Sequence, residues 1–174
     1  QILPKVVIVD GLIGGGKSML SPIIESLPGV EMWIHRPELE QICALHHLGH
    51  ISISGASTLI RHAADYDIYN MAISREVNMR PVDRSSMFRS NKIFRYVGRA
   101  FARDQSAALD KISSEKPILN IMTHAITPYS KSIFEAFGEK LVYVRLTRSP
   151  TTIYLLKHIS RWTKSWEDMV PRRH

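Results

Sequence analysis

The spacing of apolar and polar residues changes several times along the chain. Residues 5–10, KVVIVD, are a short β-branched run that stops at a glycine, the pattern of a strand buried on both faces. Residues 18–27, SMLSPIIESL, switch to helical spacing and end at Pro28-Gly29, with Pro22 near the first turn, where proline is tolerated. VEMWIH (30–35) predicts a second strand. From Pro37 to Ser114 β-branched runs thin out and helical spacing dominates. PELEQICALHHLG predicts a helix ended by Gly49, and residues 56–77 predict one or two more. Residues 91–112 predict another, with apolar Ile93, Phe94, Val97, Phe101 and Ala108. The strand pattern then returns in PILNIMTH (117–124) and KLVYVRLT (140–147). They alternate with helices over SKSIFEAFGE (130–139) and PTTIYLLKHISRW (150–162).

This β-α-β, helical insert, β-α-β-α order predicts an α/β fold, mainly a parallel sheet with helices on both faces. Its expected class is the three-layer P-loop NTPase-like fold, as one domain over residues 1–174 with a helical cap inserted at about 37–114. The 174 residues, 44% of them hydrophobic, suffice for one substantial core. No apolar run approaches the roughly 20 residues that cross a membrane, and no basic-apolar-small leader is present. Cys43 is the only cysteine, so no internal disulfide forms, and a cytoplasmic location is expected. The chain starts at Gln1 and stops at VPRRH, so segments are expected to be missing at one or both ends.

The chemistry concentrates in residues 11–18. Gly11-Leu12-Ile13-Gly14-Gly15-Gly16-Lys17-Ser18 satisfies G-x-x-x-x-G-K-[ST] between a strand and a helix. At ordinary residue frequencies the pattern arises in a chain this size well under about one time in 50, so a bare glycine turn is the poorer account. The glycines let backbone N–H groups wrap a phosphate, and the following helix offers its N-terminus to the charge. Lys17 can reach a terminal phosphate or the group in flight. The Ser18 hydroxyl can touch phosphate or Mg²⁺. A net charge of +7 suits such an anionic ligand. Motor ATPases and GTPases end a second strand in a Mg²⁺-binding aspartate. Here PILNIMTH ends in Thr123-His124 and KLVYVRLT runs into Arg148. Asp10 precedes the loop as a base, a metal contact through water, or a strand-end carboxylate bonded to nearby backbone.

GLIGGGKSMLSPIIESLPGVE resembles the opening of the P-loop sulfotransferases, which use 3′-phosphoadenosine-5′-phosphosulfate (PAPS). PILNIMTH resembles their strand ending in Lys-Thr-His, and KLVYVRLTRSPTTIYLLKH resembles their late strand with an arginine for the 3′-phosphate. These stretches come in the family's order around a long helical insert. The resemblance implies a sulfuryl transfer from PAPS to a hydroxyl or amine. Gly11, Gly14, Gly15, Gly16, Lys17 and Ser18 would hold the phosphosulfate, and Arg148 the 3′-phosphate of PAPS or its product PAP. Lys17 would also act on the bridging oxygen, and His124 would be the general base. Such a reaction needs no metal.

VDGLIGGGKS is also similar to the opening of the deoxynucleoside and nucleotide kinases, and DRSS (83–86) to their acidic-Arg-Ser motif. That second resemblance implies ATP with Mg²⁺ on Lys17 and Ser18, and Arg148, Arg161 and Arg84 on the transferring phosphoryl group. A third class is a nucleotide- or nucleic-acid-binding protein without transfer.

Residues 74–103 carry eight Arg/Lys against two acids, interleaved with Phe88, Phe94, Tyr96 and Phe101. They read as a basic mouth for an anionic acceptor or the nucleotide, as a nucleic-acid surface, or as the solvated face of a cap helix. The expected partners are a nucleotide donor and a small-molecule or anionic acceptor, with nucleic acid less favoured. Asp83 with Arg80 or Arg84 suggests a salt-bridged turn. His46, His47 and His50 are close in sequence, but no Cys or acidic cluster at ligand spacing supports zinc there. His124 differs, because ligands of open α/β sheets bind at the carboxyl ends of strands. Trp33, Trp162 and Trp166 read as packing residues, His158 as surface, and the last 14 residues as a mobile arginine-bearing lid or a frayed end. The sequence is silent on the acceptor and on oligomeric state.

Overall fold

A computed structural model describes residues 2–101, 108–155 and 158–159. Its centre is β1 (Lys5–Gly11), buried from Val6 onward as its apolar run requires. β1 pairs in parallel with β3 (Ile118–Met122) on one side and β4 (Leu141–Leu146) on the other. β2 (Ile34–His35) adds in parallel to β3, giving the order β2-β3-β1-β4. All four strands point the same way, so every strand's carboxyl end opens on one edge.

Strand alternation sends side chains to opposite faces. On one face Val6, Ile8, Leu119 and Ile121 form the main core. They pack with α2 (Pro37–His47), α3 (Ile53–Ala72) and α6 (Lys131–Phe137) through Leu39, Cys43, Ile60, Ala64, Ile68, Ile133 and Phe137. On the other face Asn120 Nδ2 donates to the Ser21 carbonyl of α1 (Lys17–Glu25) at 3.4 Å. Helices therefore cover both faces of a parallel sheet. Local chemistry sets their ends. α2 begins with Pro37 and carries Glu38 and Glu40 in its first turn, charges suited to the helix dipole. α3 is capped by Ser52, whose hydroxyl accepts from Gly55 N at 3.0 Å. Among the described residues, no helix is long and apolar enough to cross a membrane.

Two expectations change, for the strand over 30–35 and the helix over 91–112, while the one or two helices expected over 56–77 are one. The strand expected over 30–35 narrows to Ile34–His35 and an isolated bridge of Val30 with Ile118. The intervening Met32 amide donates to Tyr96 Oη at 2.7 Å and is lost to the ladder. Residues 56–77 supply one helix, α3, which ends at Ala72. The helix expected over 91–112 is two pieces among the described residues, α4 (Ile93–Ala100) and α5 (Ala108–Glu115). The lid and Arg161 lie outside the described residues, as do Trp162 and Trp166.

The insert is fastened by buried charge. Glu31 is fully buried and meets Arg99 twice, at 2.9 and 3.1 Å, and Arg95 at 3.3 Å, and accepts from Tyr96 Oη at 2.7 Å. Met32, Met71, Met87 and Tyr96 fill a second core beside this network. Lys92 Nζ donates to the carbonyls of Leu27 (3.0 Å) and Val30 (2.6 Å) and to that of Glu25, at the end of α1. Ser90 Oγ donates to the Glu25 carboxylate. Lys92, Arg95 and Arg99 of the basic run thus work inside the fold, whereas Arg75, Arg80, Arg84 and Arg89 are exposed.

Candidate active site

The glycine loop leaves β1 at the open edge of the sheet. At Gly11 a Cβ would lie 2.5 Å from the Leu146 carbonyl oxygen, so β4 runs too close for any side chain there. Gly15 N then donates to the Leu12 carbonyl at 3.0 Å, closing a turn. Gly16, at φ 101°, enters α1 in the left-handed region and accepts from Met19 N at 2.9 Å. The first-turn amides of a helix have no intrahelical acceptors, so α1 presents N–H groups to the loop.

Among the described residues, three cations from separate parts of the chain reach this loop. Lys17 is buried, and its Nζ donates to the Leu12 carbonyl at 3.0 Å and to the Gly11 carbonyl. Burial lowers its pKa, against the opposing charges of Asp10 and Glu40. Arg84 Nη1, from the insert, donates to Ser18 Oγ at 3.1 Å. Arg148 Nη1, beyond β4, donates to the Gly14 carbonyl at 3.3 Å. Asp83 turns instead towards Arg80 (3.9 Å) and Asn78 (3.1 Å).

Asp10 has a different position. Its buried carboxylate accepts from Thr123 Oγ1 (3.0 Å), Ile126 N (3.1 Å), Thr127 N (3.1 Å), Thr127 Oγ1 (2.6 Å) and Tyr143 Oη (2.9 Å). Burial works to raise its pKa, but the bonds from Thr127, Ile126, Tyr143 and Thr123 outweigh it and hold the carboxyl below its ordinary value. Burial and the Asp10 carboxylate push Tyr143 up. Of the three roles open to Asp10, this geometry matches the strand-end carboxylate that stitches β1 to its neighbours.

His124 follows β3 at the same edge. Its backbone N donates to Glu40 Oε1 at 2.7 Å, and its Nδ1 lies 3.3 Å from the same oxygen. His35, ending β2, places Nε2 3.4 Å from that oxygen, and the two imidazoles meet edge to face with centroids 4.6 Å apart. A carboxylate that accepts a hydrogen bond from Nδ1–H leaves Nε2 as the basic nitrogen. Sequence reasoning missed Glu40 and His35. The available signal was an acid in the first turn of a helix that starts just after a strand end, in HRPELE.

A cleft of about 360 Å³ lies beside the loop, between α1 and residues 84–90. Ser18, Met19, Trp33, Arg84, Ser86 and Arg89 are among its walls, with Glu25 at one side. The sequence candidates therefore divide into two neighbouring groups. The glycines, Lys17, Ser18 and Arg148 gather at the loop, joined by Arg84, while His124 belongs to the cluster around Glu40. His46, His47 and His50 form no such cluster among the described residues. His158 is exposed, and Trp33 is buried as packing predicts.

No family model matches the chain, and no curated protein or solved structure does.

Proposed function

We propose that the protein is a P-loop transferase of the sulfotransferase type, moving the sulfuryl group of PAPS to a hydroxyl or amine. One observation carries this reading. His124 stands at the carboxyl end of β3 with its Nδ1 beside Glu40, at the edge of the sheet where the Lys17 loop opens. The cation set fits the donor, since Lys17, Arg84 and Arg148 approach the loop from three directions and phosphates need such charge. When bound, PAPS supplies the sulfuryl group and a phosphate leaving group. His124 Nε2 takes the proton from the acceptor as its oxygen or nitrogen bonds to sulfur. Lys17 neutralises the charge left on the bridging oxygen as the sulfur–oxygen bond to phosphate breaks. Glu40 is a positioning residue that holds the imidazole and offsets its positive charge. Arg148 holds the 3′-phosphate. The engaged Asp10 supports a metal-independent reaction, because its carboxylate oxygens already serve five donors.

Arg84 on Ser18 favours a second reading. It sets the arginine of DRSS against the phosphate loop, as the kinase resemblance implies, with ATP·Mg²⁺ as donor. Calorimetry of PAP and ATP, each with and without Mg²⁺, separates the two. Metal-independent PAP binding, lost in Lys17→Ala and weakened in Arg148→Ala, is the expected result. ATP binding that requires Mg²⁺, with no response to PAP, would make the protein a kinase and leave His124 a structural residue.

A further inference from the structure

The side chains around Glu40 carry chemistry that phosphate binding does not use. His35 Nε2 and His124 Nδ1 lie 3.4 and 3.3 Å from one carboxylate oxygen, Glu40 Oε1. One ligand atom from each of the three residues falls within 4.8 Å of the other two. Ligands about 2.0–2.1 Å from a tetrahedral zinc ion stand about 3.3 Å apart along each edge, so two of the three edges already have that length. Two imidazoles and one carboxylate are a donor set that suits zinc and leaves a fourth position open. The three side chains are 37%, 23% and 31% exposed for His35, Glu40 and His124, so an ion reaches them from solvent. They come from the end of β2, the first turn of α2 and the residue pair after β3. The sheet and main core fix all three, so the ligands are gathered before any ion arrives.

We propose that His35, Glu40 and His124 form a zinc(II) site, with His35 ligating through Nε2, Glu40 through Oε1 and His124 through Nδ1. The fourth position takes water or an oxygen donor from a ligand. Metal on Nδ1 of a neutral imidazole places its remaining proton on Nε2. His124 then has no free lone pair, and zinc blocks it as a base. That inhibition rests on the base role given to His124 above, whereas the binding does not.

The test titrates the whole chain, stripped of metal by chelator dialysis, with zinc by calorimetry and with cobalt(II) by visible absorption. One equivalent is expected to bind. His35→Ala and Glu40→Gln should each weaken binding by about tenfold or more, with an unchanged circular dichroism spectrum. The double variant His46→Ala/His47→Ala should bind as the parent does. Absence of binding, binding that survives His35→Ala, or binding lost in the His46/His47 double variant overturns the proposal. Binding with these mutational effects but no inhibition of sulfuryl transfer supports the zinc site and overturns the base role of His124. Absence of binding leaves that role standing.

Discussion

Arg84 donates to the Ser18 hydroxyl at 3.1 Å across 66 residues of sequence. The contact brings a guanidinium from the insert to the first turn of α1. Charge-assisted hydrogen bonds contribute about 1.5–3 kcal/mol. Arg84→Ala should therefore weaken binding of PAP, or of ATP, about tenfold or more. Calorimetry measures it, and an unchanged affinity would remove Arg84 from the proposed phosphate site.

Gly11 and Gly16 predict unequal costs for the same substitution. At Gly11 the added methyl meets the Leu146 carbonyl, part of the β1–β4 ladder, whereas at Gly16 it meets nothing within 4 Å and only the positive φ resists it. Gly11→Ala should cost about 2–4 kcal/mol and Gly16→Ala about 1–2 kcal/mol. Urea unfolding of both variants is the check. Equal costs would mean that β4 yields easily beside the loop.

Asp10 makes acid stability a readout of one carboxylate. Its folded pKa lies below the ordinary value of 3.8. The stability it gives is fully present above about pH 5 and is lost as pH falls through the folded pKa. Asp10→Asn turns an amide donor towards groups that already donate. It should cost about 2–4 kcal/mol at pH 7 and less as pH falls below 4. Denaturant melts across pH decide this. A difference that stays constant down to pH 2 would show that the charge contributes nothing.

These residues also show what could be read from the sequence. The glycine loop was legible because its chemistry is local, with glycine, lysine and serine at fixed spacing between two elements. β1 was legible because a parallel strand covered on both faces needs an unbroken apolar run, and β3 and β4 because their β-branched and apolar positions persist around Asn120 and Arg145. The link from Glu40 to His124 was not, because 84 residues separate them and only the folded chain brings them together. VEMWIH misled for a related reason. Glu31 and Met32 look like alternating strand positions, yet the insert captures the carboxylate of one and the amide of the other. The basic residues of 74–103 looked like one surface, and the division of Lys92 to the end of α1, Arg95 and Arg99 to Glu31, and Arg84 and Arg89 to the cleft depended on folding partners absent from the local pattern.

The Glu31–Arg99 pair predicts asymmetric mutagenesis. Removing one partner leaves a buried charge short of compensation, so Arg99→Ala should cost about 3–5 kcal/mol. In Glu31→Gln/Arg99→Met both charges go, and part of that loss should return. Thermal and denaturant unfolding of the single and double variants test the coupling. Additive losses would mean that Arg95 alone satisfies Glu31.

Lys92 gives the cleft a thermodynamic character. Its ammonium bonds to the carbonyl of Glu25 at the end of α1 and to those of Leu27 and Val30 beyond it, and with Ser90 and Arg84 it secures one wall of the cleft to the helix that starts at the glycine loop. A wall secured in this way spends little ordering entropy when a ligand arrives, so contact energy passes more fully into affinity. Selection then works by fit. A molecule too large for the standing gap must break ammonium-to-carbonyl bonds before it gains any contact of its own.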